Sequence, residues 1–117
     1  MEKLLVRNRT RNAVLADAAE VADTSATRRR GLLGRDSLAP GQGLWIVPCE
    51  AVHSVGMRFP IDVVFLNRKH VVCKVREGLF GWRIAGTLRA HSVLELPAGT
   101  VKATGTQVGD ELDLERE

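Results

Sequence analysis

Apolar residues in this chain fall in short runs broken by glycine, proline and charge, with no long stripe of helical period. The densest stretch is Cys49–Leu66, CEAVHSVGMRFPIDVVFL, and the other elements are read around it. In extended form alternate side chains share a face. That sets Cys49, Ala51, His53, Val55 and Met57 on a nearly apolar side expected to meet the core. Pro60 interrupts pairing, and Ile61–Leu66 resumes as a strand that is apolar on both sides after Asp62, hence central.

On either side of this stretch the pattern predicts further strands. Leu4–Asn8 reads as a strand and Arg9–Asn12 as a polar turn. Ala13–Ala22 is rich in alanine but has no 3.6-residue stripe, so it is taken as a second strand. Asp23, Thr24 and Ser25 offer side-chain oxygens for a helix N-cap. Ala26–Leu33 then makes two turns closed by Gly34, with Arg28, Arg29 and Arg30 near the negative end of the helix dipole. Gly43–Val47 is a buried strand, Asn67–His70 a hairpin connection, and Val71–Arg76 a return strand with Val71, Cys73 and Val75 inward. Glu77-Gly78 and Gly81 bracket a loop carrying Leu79, Phe80 and Trp82. His91–Pro97 alternates with Leu94 and Leu96 in and Glu95 out. A single helical turn is read near Thr100–Thr104, and Glu111–Glu115 is the last strand, with an acidic outer face suited to an edge. The predicted architecture is mainly β: one domain over residues 1–117, a small antiparallel β-sandwich or squashed barrel, with one short α-helix at about Ser25–Leu33.

Composition narrows the classes. The 117 residues are 44% hydrophobic and 26% charged, a globular balance able to build a core without disulfides or metal. Aromatics are scarce at 4%, so aliphatic and β-branched side chains fill the interior, which again favours strands. A net charge of +3 is mildly basic, short of the concentrated patch of a nucleic-acid binder. Two cysteines and no apolar leader fit free thiols in a reducing, cytoplasmic setting. No segment reaches the ~20 apolar residues of a membrane helix, so no membrane association is expected.

Candidate chemistry is sparse. Cys49, His53 and Met57 form a soft-ligand set suited to Cu(I), but along a strand the four-residue spacing separates them by roughly 13 Å. No metal and no cofactor is therefore expected. Nor can Ser54 serve His53 as a nucleophile, since it points to the opposite face, and the same ~13 Å separation rules out a Cys49–His53 dyad. Asp62 opens a doubly apolar strand and needs a partner; Arg28, Arg35 and Arg58 are the candidates. The plainer reading is a structural ion pair, the sharper one the polar end of a ligand cleft. Successive Arg28, Arg29 and Arg30 spread around a helix at 100° each rather than forming one stripe, which disfavours nucleic acid. The expected ligand set is Arg28, Arg35, His53, Met57, Asp62 and Trp82, for a small molecule or protein partner. The leading function is a binding module. The alternatives are a hydrolytic enzyme using Asp62 or Glu95 with His53, and a protein-interaction module.

Several motifs in one order carry a family resemblance. Arg28-x-x-Gly31-Leu32-Leu33-Gly34-Arg35, then His53 … Met57-x-Phe59-Pro60-Ile61-Asp62-Val63-Val64-Phe65-Leu66, then Leu94-Glu95-Leu96-Pro97-Ala98-Gly99 and Gly109-Asp110, resemble the bacterial and archaeal domain-of-unknown-function family 192. The resemblance runs from about Ala19 to Leu114 and implies a small, mainly β fold, without implying an activity. Matched by position are Arg28, Gly31, Arg35, Met57, Asp62, Glu95 and Gly99. Leu33 stands where the family often has Met, and the Asn67–His70 hairpin lacks the usual Asp-Gly turn.

Overall fold

The computed structural model describes residues 2–116. In order it runs β1 (Lys3–Asn8), β2 (Ala13–Ala22), α1 (Ser25–Arg30), β3 (Gln42–Ile46), β4 (Ala51–His53), β5 (Ile61–Leu66), β6 (Val72–Leu79), β7 (Ile84–Gly86), β8 (Ser92–Pro97), α2 (Thr100–Thr104) and β9 (Leu112–Arg116). Seven strands form one sheet in the order β6-β5-β8-β3-β2-β1-β9, and β4 pairs with β7 in a separate ribbon. The mainly β expectation holds, as a curled half-barrel. Its two edges meet at one end, where Val71 bridges Glu111 and the amides of Val72 and Gly109 bond across to Asp110 and Val72. One pairing departs from the all-antiparallel expectation: β2 and β3 are parallel. Parallel neighbours need a crossover, and the segment carrying α1 supplies it.

The sheet buries both faces. Leu4, Val6, Val64, Leu66, Val72, Leu94, Leu96 and Leu112 fill the inside of the curl. Leu44, Ile46, Ile61, Val63, Phe65 and Val93 face outward, yet are covered by Leu32 and Leu38 from the crossover and by Val52 and Ala85 from the β4–β7 ribbon. Gly43 lets β3 approach β8 closely, because a Cβ there would lie 3.2 Å from both the Glu95 carbonyl oxygen and Leu96 Cδ2.

Three local readings are corrected. Between Cys49 and Met57 only Ala51–His53 is strand, and the face is reversed: Val52 and Ser54 are buried while His53 is exposed. Ser54 goes inward because it is satisfied there, its amide donating to the Arg83 carbonyl at 2.8 Å and its hydroxyl accepting from the Arg83 amide at 2.9 Å. Glu95, read as pointing out, is 4% exposed, since the crossover packs over the face it occupies. The return strand also runs on to Leu79, with Val72 rather than Val71 buried.

Candidate functional site

Asp62 does not pair with arginine. It is 1% exposed and accepts three backbone N–H bonds, from Gly78 at 3.0 Å, Gly99 at 3.0 Å and Val101 at 2.9 Å. Gly99 is the N-cap of α2 and has no side chain to cap with, so a carboxylate from β5 supplies the cap through space. The arginines expected to neutralise it are engaged elsewhere. Arg28 donates to the Asp23 carbonyl at 3.1 Å, Arg35 pairs with Glu20 at 2.6 Å, and Arg58 with Asp36 at 2.5 Å. Asp62 also lies on the opposite side of the sheet from Glu95. Val63 is the cross-strand partner of Glu95, and Asp62 is the next residue along β5.

The groups that do converge lie under α1. A cleft of about 180 Å³ is lined by Arg28, Arg29, Arg30 and the turn Gly31–Leu33 on one side. Cys49, Ala51–His53 and Met57 line the other, with Ile46 and Glu95 between them. Local sequence explains the roof. Thr24 and Thr27 form a reciprocal capping box that starts the helix. The helix stops at Arg30 rather than at Leu33 because Gly31 takes φ 50° and ψ −129°, a conformation that favours glycine. The break turns Leu32 down into the outer core. A Cβ on Gly31 would stand 3.9 Å from Glu95 Oε1, so the turn lies directly against the carboxyl.

Glu95 is the unusual group. Its Oε1 is buried with no hydrogen-bond partner among the described residues. Burial pushes its carboxyl up to about 7, and the Arg35 guanidinium only partly opposes that rise. Cys49 donates its thiol to the Ala51 carbonyl at 3.2 Å, and burial, with Glu95 nearby, holds it above the ordinary thiol range, which argues against a thiolate nucleophile.

Of the expected ligand set, Arg28, His53 and Met57 come together here. Asp62 does not, Arg35 sits on the far side of Gly31 beside Glu20, and Trp82 is 81% exposed on the β6–β7 loop. Cys73 is also apart, its thiol donating to the Phe65 carbonyl at 3.4 Å. Cys49, His53 and Met57 all line the cleft. The chain turns after β4, the Met57 amide bonding to the Ser54 carbonyl at 3.0 Å, so the straight-strand separation does not hold between His53 and Met57. Among the described residues no group of three or more His, Cys, Asp or Glu could hold a metal ion.

The domain-of-unknown-function family 192, described as Uncharacterized ACR, matches residues 6–114. A UPF0127 protein of Thermococcus sibiricus is 29% identical over 119 residues, which cover 94% of this chain and 74% of that protein. A crystal structure from Sinorhizobium meliloti, of a protein described as a candidate transcription regulator, superposes with a TM-score of 0.82 at 24% identity, covering 97% of this chain and 92% of that one. A protein of unknown function from Novosphingobium aromaticivorans gives a TM-score of 0.81 at 19% identity, covering 95% and 83%. At these identities the two structures speak to the fold alone.

Proposed function

Because the chain belongs to domain-of-unknown-function family 192, which carries no assigned activity, we propose from the site itself that it is a small-molecule binding module whose ligand sits under α1 against Glu95. The observation that carries this is the unpartnered Glu95 Oε1. A buried polar atom without a partner costs about 1–3 kcal/mol, and a ligand that bonds to it removes that penalty. Convergent polar groups on a partly apolar concave wall are the usual make-up of such sites. The test is an amide NMR titration of the whole chain with a mixed set of neutral, anionic and cationic fragments. Shifts should cluster at Gly31, Cys49, His53 and Met57 and disappear in Glu95→Leu; shifts scattered elsewhere, or none at all, would refute the reading.

A hydrolytic role for Glu95 with His53 has one supporting observation, a carboxyl titrating near neutrality, as a general acid or base should. Against it, no hydrogen bond joins His53 to Glu95 among the described residues, and binding alone needs none.

A further inference from the structure

Apart from Glu95 itself, the groups that face it are nearly all positive or apolar. Arg28, Arg29 and Arg30 of α1 line the cleft, Arg28 close enough to act on the Cys49 thiol, and from beyond Gly31 comes Arg35, held by Glu20 of β2 and near enough to act on Glu95. β4 and the chain before it bring His53 and the Cys49 thiol. The strands that flank β8 bring apolar side chains to that face, Leu44 and Ile46 from β3 and Ile61, Val63 and Phe65 from β5. Among the described residues that line the cleft, Glu95 is the one carboxyl group.

This arrangement selects the charge of what enters. The helix over the cleft carries three positive charges, with Arg28 nearest the Cys49 thiol, so the local field repels a cation and draws an anion. Once inside, the anion would be repelled by an ionised Glu95 but would accept a hydrogen bond from a protonated one, since only the neutral carboxyl has an O–H to give. The remaining walls, Leu32, Leu33, Ile46, Val52 and Met57, are hydrocarbon or thioether, a poor match for an anion with no apolar part and a good one for a short alkyl chain.

We propose that the cleft binds a small aliphatic carboxylate, held between the protonated Glu95 carboxyl and the Arg28 guanidinium of α1, with its alkyl part on the apolar walls. This rests on the reading of the cleft as a binding site. No covalent bond changes, and the proton stays on Glu95 while the ligand is bound. Where free Glu95 is ionised, binding must therefore take up one proton from solvent. Burial has already brought the carboxyl to about 7, so the protonated form is well populated at neutral pH.

The test uses the full chain and butyrate at millimolar concentration, with butyramide and butylammonium as neutral and cationic isosteres. It is followed by amide NMR between pH 6 and 9, with calorimetry in two buffers to count protons. Butyrate should shift the Gly31 and His53 amides, its Kd rising about tenfold per pH unit above roughly pH 7 as Glu95 ionises. Glu95→Gln, whose amide can still donate, should bind butyrate without the pH slope, and Arg28→Gln should weaken binding at every pH. A Kd that does not move with pH in the unaltered protein overturns the proposal. So does butyramide or butylammonium binding as tightly as butyrate. If either isostere occupies the cleft and butyrate does not, the carboxylate inference falls while the binding reading stands; if no fragment of any charge shifts the cleft amides, both fall.

Discussion

Two carboxylates on opposite sides of one sheet are stabilised in opposite ways, and the difference is open to measurement. Glu95 has its carboxyl raised by burial from 4.5 to about 7. The folded state therefore holds its proton more tightly than the unfolded chain does. Its contribution is complete below pH 4.5 and is lost as pH rises to about 7, a loss of roughly 3 kcal/mol at 1.36 kcal/mol per unit. Glu95→Gln should flatten that limb, so that urea midpoints of the two proteins diverge between pH 5 and 8, with the variant the more stable at pH 8. A parallel decline in both would show that Glu95 is not its source. Asp62 accepts three backbone amides instead of an ion pair. Removing it leaves those donors unsatisfied, and Asp62→Ala should lose on the order of 3 kcal/mol or more. Unfolding with an unchanged midpoint would contradict the cap. The sequence marked Asp62 as a buried acid in need of a partner, but could not say which. Arginines are visible in a sequence, whereas free amides at a helix start exist only once the chain has folded.

The short helix α1 depends on its ends more than on its interior, since none of its residues is buried. Thr24→Ala removes the capping box and should cost about 1 kcal/mol by chemical denaturation. A loss near zero would mean that the crossover is held by Leu32 and Leu38 alone. The β6–β7 loop is a contrasting case. Trp82 is 81% exposed, with Phe80 half-exposed and Ile84 largely exposed beside it, so Trp82→Ala should leave stability unchanged within the usual surface range of about 0.5 kcal/mol. A large drop would place the indole in the core. Helix and loop were both legible in outline from capping residues and glycines. The end of the helix was not, because Gly31 and Gly34 carry the same signal and only packing of Leu32 chose between them.

For the molecule as a whole, the seam of the half-barrel sets its behaviour in acid. Asp110 is buried where β1, the first hairpin and the approach to β9 meet. Burial works against its charge, but Arg11 at 3.0 Å, the Asn8 amide at 2.9 Å and the Gln107 N–H at 2.9 Å outweigh it and hold its carboxyl below the usual range. That contribution is present above pH 3.8 and is lost as pH falls through the lowered value. Together with Glu95, it predicts maximal stability at about pH 4–5, on the acid side of neutrality. Stability curves against urea across pH 2–9 test this directly, and Asp110→Asn should soften the acid limb while lowering stability at pH 7. A maximum at pH 7 or above would mean that Glu95 does not set the upper limb, and an acid limb unchanged in Asp110→Asn would mean that Asp110 does not set the lower one.

What the sequence alone determined is what local patterning can carry: the mainly β character, most strand positions, the capped helix with its arginines and the helical turn at Thr100–Thr104. It also brought Arg28, His53 and Met57 into view. What the tertiary structure decided is which way the ambiguous faces turn. Alternation fixes which side chains share a face of a strand but not which face another layer will cover. Val52 rather than His53 went inside because β4 left the main sheet to pair with β7. Glu95 was buried because the crossover between two parallel strands laid α1 over it, a contact between residues far apart in the chain that no periodicity along either segment records.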